Sequence, residues 1–314
     1  MTLAHLPELA VLALAIAFDY AVRLPNALHP VAWFGRAAGW VIAKLPTHGR
    51  TLPFVAGLGV AVVLPLTAAV LVGRVLAWSD AHLPAIALIG VRGVLLATTF
   101  SLFGLLDAGK RLEVALRTQG LDAARARLSW LCSRDPSTLD ASQLAGGTIE
   151  SLAENLSDSV VAPLLCWLAF GVEGAVWYRA VNTLDAMIGY RGKYEWLGKA
   201  AARLDDLANL VPARVTALAL FLAAPARRGL TTWRRDRSLT ESPNAGHPMA
   251  MAAGLLGVRL DKPGVYSLGA DLAAPQAHDI ERAIVLVRRA GLLVFAACLL
   301  CAGMLGTGTF HVAL

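Results

Sequence analysis

Long apolar stretches set the pattern of this chain, and polar residues gather in the segments between them. Hydrophobic runs cover roughly residues 53–73, 84–106 and 284–305. At about 1.5 Å rise per residue, each is long enough for a helix to cross a hydrocarbon core of about 30 Å. A weaker run, 6–22, carries Asp19 near its end. Two shorter runs, 159–178 and 211–224, predict re-entrant or short spans, or helices packed at the interface. The first of these is interrupted at Gly171-Val172-Glu173-Gly174, which suits a hairpin that dips and returns. The expected fold is all-α: one polytopic membrane-embedded domain over 1–314, with helical and loop segments on the cytoplasmic side forming the site.

Composition supports the bilayer reading. Hydrophobic residues make up 57% of the chain and charged residues 16%, with mean hydropathy +0.59. A soluble domain averages about 45–50% apolar and about 25% charged, so an ordinary soluble enzyme and a disordered chain are both excluded. The first apolar run lacks a basic leading segment, so no cleavable signal peptide is expected. Of the cysteines Cys132, Cys166, Cys298 and Cys301, the last two have CxxC spacing. They sit in an apolar run with no second pair and read as packing residues.

Charge placement gives the orientation. The formal net charge is +6, and 26 of the 28 Lys and Arg fall in the segments 23–50, 107–158, 179–214 and 225–289. The exceptions are Arg74 and Arg92, and Arg92 is expected to snorkel or to pair with Asp80 or Asp107. Such asymmetry places the polar segments on the cytoplasmic side of a bacterial inner membrane. Dispersed bases between apolar runs fit an anionic membrane face, and no nucleic-acid partner is expected.

The strongest chemical signal is 146–163, GGTIESLAENLSDSVVAP. Glu150, Glu154 and Asp158 recur every four residues, so a helix carries three carboxylates on one face. Like charges at that spacing repel, and no base is interleaved. The row is either a solvated acidic face or a site for a hard cation such as Mg²⁺, with Ser151 and Asn155 flanking it. Asn182 and Asp185 share a helix face, and Arg191 follows in a loop after Gly189. In 202–214, Arg203 pairs naturally with Asp206, while Asp205 and Asn209 line another face among leucines. An internal echo also stands out: PNALHP (25–30) recurs as PNAGHP (243–248). Each copy is a stiff turn offering Asn and His, either to start a helix or to hold a ligand. The pairs are Asn26 with His29 and Asn244 with His247, and Trp33 and Arg36 follow the first copy. Arg134 precedes a proline turn, with Ser137 or Asp140 able to cap the next helix. No phosphate-binding loop, dinucleotide glycine motif or zinc-protease motif is present.

These stretches together resemble one family. HPVAWFGR, SRDPSTLD, TIESLAENLSDSVVAPL, YRAVNTLDAMIGYR, ARLDDLANLVPARVTALAL, SPNAGHPMAMAAG and GVRLDKPGVYSLG are similar to the CobD/CbiB family of membrane-bound adenosylcobinamide-phosphate synthases. The likeness runs from about Asp19 to Leu268. The resemblance implies a cobalamin-biosynthetic ligase. It joins (R)-1-amino-2-propanol, or its O-phosphate, to the propionate carboxyl of adenosylcobyric acid, giving adenosylcobinamide (phosphate). A carboxylate does not condense with an amine in water unaided, so ATP and Mg²⁺ are implied, with an acyl phosphate as the activated form.

On that reading Glu150, Glu154, Asp158, Asp185, Asp205 and Asp206 are candidate metal ligands. Glu150, Glu154 and His247 are candidate catalytic groups, with His29 or a spare carboxylate as an alternative base. Trp33, Arg36, Arg134, Asn182, Arg191, Arg203, Arg214, His29 and Asn244 are candidates for substrate and phosphate binding. Trp33, Trp130, Trp177, Tyr190 and Tyr194 are interface anchors or contacts for the wide corrinoid. The partners are then the two substrates and the lipid bilayer, and a homo-oligomer or docking of other pathway enzymes stays open. A transporter, or a non-catalytic scaffold or sensor of the same architecture, is the alternative reading. A transporter predicts more ionisable residues within the spans than Arg92 alone.

Overall fold

A computed structural model describes residues 6–128 and 137–305. Arg134, Trp130 and Cys132 lie outside the described residues. The chain forms thirteen α-helices among the described residues, one π-helical turn and a two-stranded hairpin. They cluster into two compact units.

The first unit comprises 1–101, 162–209 and 295–314. It contains α1 (Leu6–Ala21), α2 (Pro30–Ile42), α3 (Thr51–His82), α4 (Ala85–Ala97), α8 (Ala162–Ile188) and α9 (Lys199–Ala208). Its core forms where α2, α3, α8 and α9 meet, with Ile42, Val60, Leu184, Ile188 and Leu197 buried together. The backbone of Leu197 approaches α3 so closely that a Cβ at Gly57 would collide with its carbonyl. Helix α1 packs along α4.

The second unit comprises 102–161 and 210–294. It contains α5 (Leu102–Thr118), α6 (Leu121–Leu128), α7 (Ala141–Leu156), the π turn Ser157–Val161, α10 (Leu210–Ala223), α11 (Arg227–Asp236) and α12 (Gly246–Leu256). Strands β1 (Leu260–Lys262) and β2 (Tyr266–Leu268) follow, and then most of α13 (Ala277–Leu305). Helix α7 starts on a capping box in which Asp140 accepts from the Gln143 amide, at 2.8 Å. It is then enclosed by α5, α6, α12 and β1.

Four helical runs are long and apolar enough to cross a membrane: Thr51–His82, Ala85–Thr118, Ala141–Ile188 and Ala277–Met304. A fifth is possible if α9 and α10, bent by 49° at their junction, form one broken span. The expected runs at 53–73 and 284–305 are therefore present as helices. The others differ in instructive ways. Helix α1 has 16 residues, about 24 Å, which falls short of a full crossing. The run 84–106 is not one helix, because it opens at 98–101 between α4 and α5. There the Thr98 and Thr99 hydroxyls donate back to the Leu95 and Leu96 carbonyls, and Ser101 donates to buried Asp19 at 3.0 Å. The run 159–178 sits inside the longer helical stretch 141–188. Its backbone leaves helical geometry at Phe170 and Gly171 (φ +71°), where the glycine-rich interruption predicts a break. The 211–224 run is α10. Arg92 pairs with Asp80 at 3.0 Å and lies 3.6 Å from Glu8.

The expectation of a purely α fold needs one correction. The hairpin β1–β2 pairs Leu260 with Leu268 and Lys262 with Tyr266. Its turn, Lys262-Pro263-Gly264-Val265, is closed by the Val265 amide donating to the Lys262 carbonyl at 2.9 Å, with Gly264 at φ +74°. Proline followed by a positive-φ glycine is what a type II turn requires. Buried Asp236, at the end of α11, accepts from the Gly269 amide at 2.7 Å and holds the hairpin's exit.

Candidate active site

The candidate residues fall into two sets, one in each unit. In the second unit, Glu150, Glu154 and Asp158 lie on α7 and the π turn. The row is not a solvated face. Glu150 is 3% exposed, and Glu154 and Asp158 are half-buried. The π turn begins within the row, at Ser157 just before Asp158, and such turns often mark functional sites. Asn155 donates to the Ser151 hydroxyl at 3.1 Å along the same helix surface.

Neighbouring elements bring cationic and amide groups to this unit's set. Helix α10 packs on the π turn, and α12 packs on both α7 and α10. From α10, Arg214 donates to the Asn244 side-chain oxygen at 3.1 Å, just ahead of α12. His247 follows in the first turn of α12, buried. Its Nδ1 accepts from the Trp233 indole at 3.3 Å, and the Arg237 guanidinium lies over the Trp233 ring at 4.3 Å. Burial first, and then the Arg214 and Arg237 charges, lower the His247 pKa to about 4. The imidazole is therefore neutral near pH 7. With Nδ1 accepting, the remaining proton sits on Nε2. This makes His247 a hydrogen-bond donor and a poor acceptor for the proton of an incoming ammonium.

In the first unit, a buried polar chain links α8 to α9. Asn182 donates to Asp205 Oδ1 at 3.2 Å, and Asn209 donates to Asp205 Oδ2 at 3.1 Å. Asn209 also donates to the Tyr178 hydroxyl at 2.9 Å, while Arg179 donates to the Asn182 side-chain oxygen Oδ1 at 3.3 Å. Asp205, Asn209 and Tyr178 are buried. Arg203 lies 3.7 Å from Asp206, as the i,i+3 spacing predicts. The Asp185 carbonyl accepts from the Gly189 amide at 2.7 Å, and a Cβ at Gly189 would strike the Asp185 side chain. Arg191 and Tyr190 are exposed in the following loop, and burial and then Asp185 raise the Tyr190 pKa.

The two copies of the echo end differently. His29 is the N-cap of α2, its Nδ1 accepting from the Val31 amide at 3.3 Å. Burial and then Arg179 lower its pKa. Exposed Trp33 donates to the Ala27 carbonyl at 2.6 Å, and Arg36 to the Asn26 carbonyl at 3.5 Å. In the second copy, glycine replaces Leu28 at position 246, where the Arg237 carbonyl would overlap any Cβ. Both copies are helix starts, and the second is also woven into a His–Trp–Arg cluster.

Among the described residues, no three His, Cys, Asp or Glu side chains gather closely enough to cage a metal. Half-buried carboxylates in a row do fit Mg²⁺, which is commonly held by one or two carboxylates together with a ligand's phosphates. Tyr178, Arg179 and Trp233 were not singled out in the sequence. Arg179 stands three residues before Asn182, a spacing that flags it, whereas nothing local links Trp233 to His247 fourteen residues away.

A family model described as CobD/Cbib protein matches residues 12–287. The chain belongs to the CobD/CbiB family. Among curated relatives, one from Dehalococcoides mccartyi, named "Cobalamin biosynthesis protein CobD", is 40% identical over 85% of this chain and 88% of its own. A Thermococcus kodakarensis protein, named "Probable cobalamin biosynthesis protein CobD", is 41% identical over 86% and 88%. A Rhodobacter capsulatus protein, named "Cobalamin biosynthesis protein CobD", is 39% identical over 90% and 93%. The CobD/CbiB match spans all of the site segments described above. No solved structure matches the chain.

Proposed function

We propose that this protein acts in cobalamin biosynthesis as an ATP-dependent amide ligase. It joins (R)-1-amino-2-propanol or its O-phosphate to the propionate carboxyl of adenosylcobyric acid. The observation that carries this reading is the acidic row of α7. It is folded into the body of its unit instead of facing solvent, in a chain akin to proteins named for cobalamin biosynthesis.

ATP with Mg²⁺ supplies the phosphoryl group that turns a carboxylate oxygen into a leaving group. The chain's own residues do the rest. Glu154 and Asp158, with buried Glu150 one turn earlier, would present hard oxygens to the metal. Arg214, steadied by Asn244, offers a guanidinium to phosphate or to a corrinoid carboxylate. Neutral His247 donates from Nε2 to an oxygen that gains negative charge. The amine must shed a proton to react, and the chain's carboxylates are the remaining acceptors. The concentration of Lys and Arg in the polar segments orients the site toward the cytoplasm, where nucleotide is available.

A genetic test is direct. A bacterial strain blocked between adenosylcobyric acid and adenosylcobinamide, expressing this chain, should grow on added cobyric acid. The same strain without the chain should require cobinamide. Growth on cobinamide alone in both cases, with the chain inserted in the membrane, would refute the proposal.

A further inference from the structure

Helix α2 carries two unlike faces. On one, Ala38 and Ile42 are buried in a core shared with Val60 and Ala61 of α3 and Leu184 and Ile188 of α8. The other face shows Trp33, Arg36, Ala37, Trp40 and Lys44, all exposed. Their spacing of three, four and seven residues keeps them on one stripe. The two indoles are 50% and 66% exposed, against the high average burial of tryptophan. The Lys44 ammonium lies 3.2 Å from the centre of the Trp40 ring. Exposed tryptophan interleaved with cations suits the boundary between water and lipid, where the ring and its polar edge both find a match.

Packing puts the stripe at that boundary. Arg74 and Trp78 are exposed at the end of α3 away from α2, as groups that favour lipid headgroups are. A hydrocarbon core of about 30 Å takes about 20 helical residues, which counted back from Trp78 end near Leu58. Val60 and Ala61, which share the core with α2, lie within one turn of that level. Helix α2 itself has 13 residues, about 20 Å, too short to cross.

Charge selects the kind of lipid. The chain has no acidic residue between Asp19 and Asp80, a stretch that holds Arg36, Lys44 and Arg50. Arg50, just ahead of α3, and Lys199, opening α9, lie over the Trp196 ring at 5.4 and 4.4 Å. Trp196 adjoins Leu197, which belongs to the same core as α2. The loop 190–199 brings Arg191, Lys193 and Lys199 against one carboxylate, Glu195.

We infer that the outer face of α2 rests in the headgroup layer of an anionic leaflet. Trp33 and Trp40 enter among the glycerol and upper acyl groups, and Arg36 and Lys44 meet lipid phosphates. The surface belongs to α2 and does not depend on the reaction proposed above.

The test uses the full chain in vesicles of phosphatidylglycerol and phosphatidylcholine, with one lipid at a time brominated on an acyl chain. Subtracting the fluorescence of the Trp40→Phe protein from that of the wild type isolates Trp40, an exposed residue outside the core. Bromine high on the acyl chain should quench this difference at least about twofold more than bromine near the chain end. High bromine carried by phosphatidylglycerol should quench it at least about twofold more than the same bromine carried by phosphatidylcholine. With Arg36→Gln and Lys44→Gln together, the two carriers should become equivalent. Trp40 fluorescence that aqueous iodide reaches and that bromine at neither depth quenches would overturn the inference, since the stripe would then face water and be open to a soluble substrate. Stronger quenching by bromine near the chain end would overturn it by placing α2 in the hydrocarbon. So would equal quenching by the two carriers in the wild-type protein.

Discussion

Replacing Glu154 with Gln separates the two meanings of the acidic row, because they predict opposite pairings of activity and stability. The side chain is half-buried, and it sits one helical turn from buried Glu150 and one from half-buried Asp158. Gln keeps the volume and removes the charge. Each like-charge i,i+4 pair costs a helix about 0.2–0.5 kcal/mol. Removing two such pairs relieves up to about 1 kcal/mol, a rise in melting temperature of roughly 2 °C or less. If the row holds a metal-bound polyphosphate, the same change removes an electrostatic contact to the transition state. Losses of that kind are about 10²–10³-fold in turnover. Glu154→Gln should therefore melt at or slightly above the wild-type temperature in detergent while turning over at least about a hundredfold more slowly. Turnover within about threefold of wild type would refute the reasoning and leave the row without a part in the chemistry.

Three further outcomes follow from the same geometry. His247 titrates near 4 in the folded chain and near 6.5 when unfolded, so the folded state binds its proton less readily. Its contribution to stability is complete above pH 6.5 and is lost as pH falls toward 4. Melting temperatures at pH 7 and pH 5 should converge for His247→Gln, with slower turnover, and an equal fall in both proteins would contradict this. Asn209→Ala removes donors from the Asp205 carboxylate and the Tyr178 hydroxyl in a buried setting, and should cost roughly 2–4 kcal/mol, read by denaturant titration. Gly57→Ala drives a methyl into the Leu197 carbonyl and should lower stability by about 1–3 kcal/mol, whereas Gly59→Ala, in open space on the same helix, should not.

Much of the fold was legible because length and apolarity are local properties. The runs at α3 and α13 had no competing pattern, and the glycine cluster near Gly171 marked a real break. The opening at 98–101 was hidden. Its threonines look apolar enough to continue a helix, and Asp19, which accepts from Ser101 at the opening, is 82 residues away. The hairpin escapes the pattern although Pro263-Gly264 is an explicit turn signal, because its strands have three residues each, too few to show an alternation. For the site, spacing correctly paired Arg203 with Asp206, and it put Glu150, Glu154 and Asp158 in one row along α7 and the turn after it. Spacing is silent on exposure, which is what separates a buried row from a solvated one. It is equally silent on the indole that occupies His247, since that contact depends on how α11 and α12 pack.

The central claim is that this one chain makes an amide bond at the corrinoid's free propionate. The most direct measurement supplies the purified protein with adenosylcobyric acid, aminopropanol O-phosphate, ATP and Mg²⁺, and reads the products by mass spectrometry. The account predicts adenosylcobinamide phosphate, heavier than the starting corrinoid by the aminopropanol phosphate less one water, formed only when all four components are present. Recovery of unchanged corrinoid under conditions where both substrates are stable would contradict it.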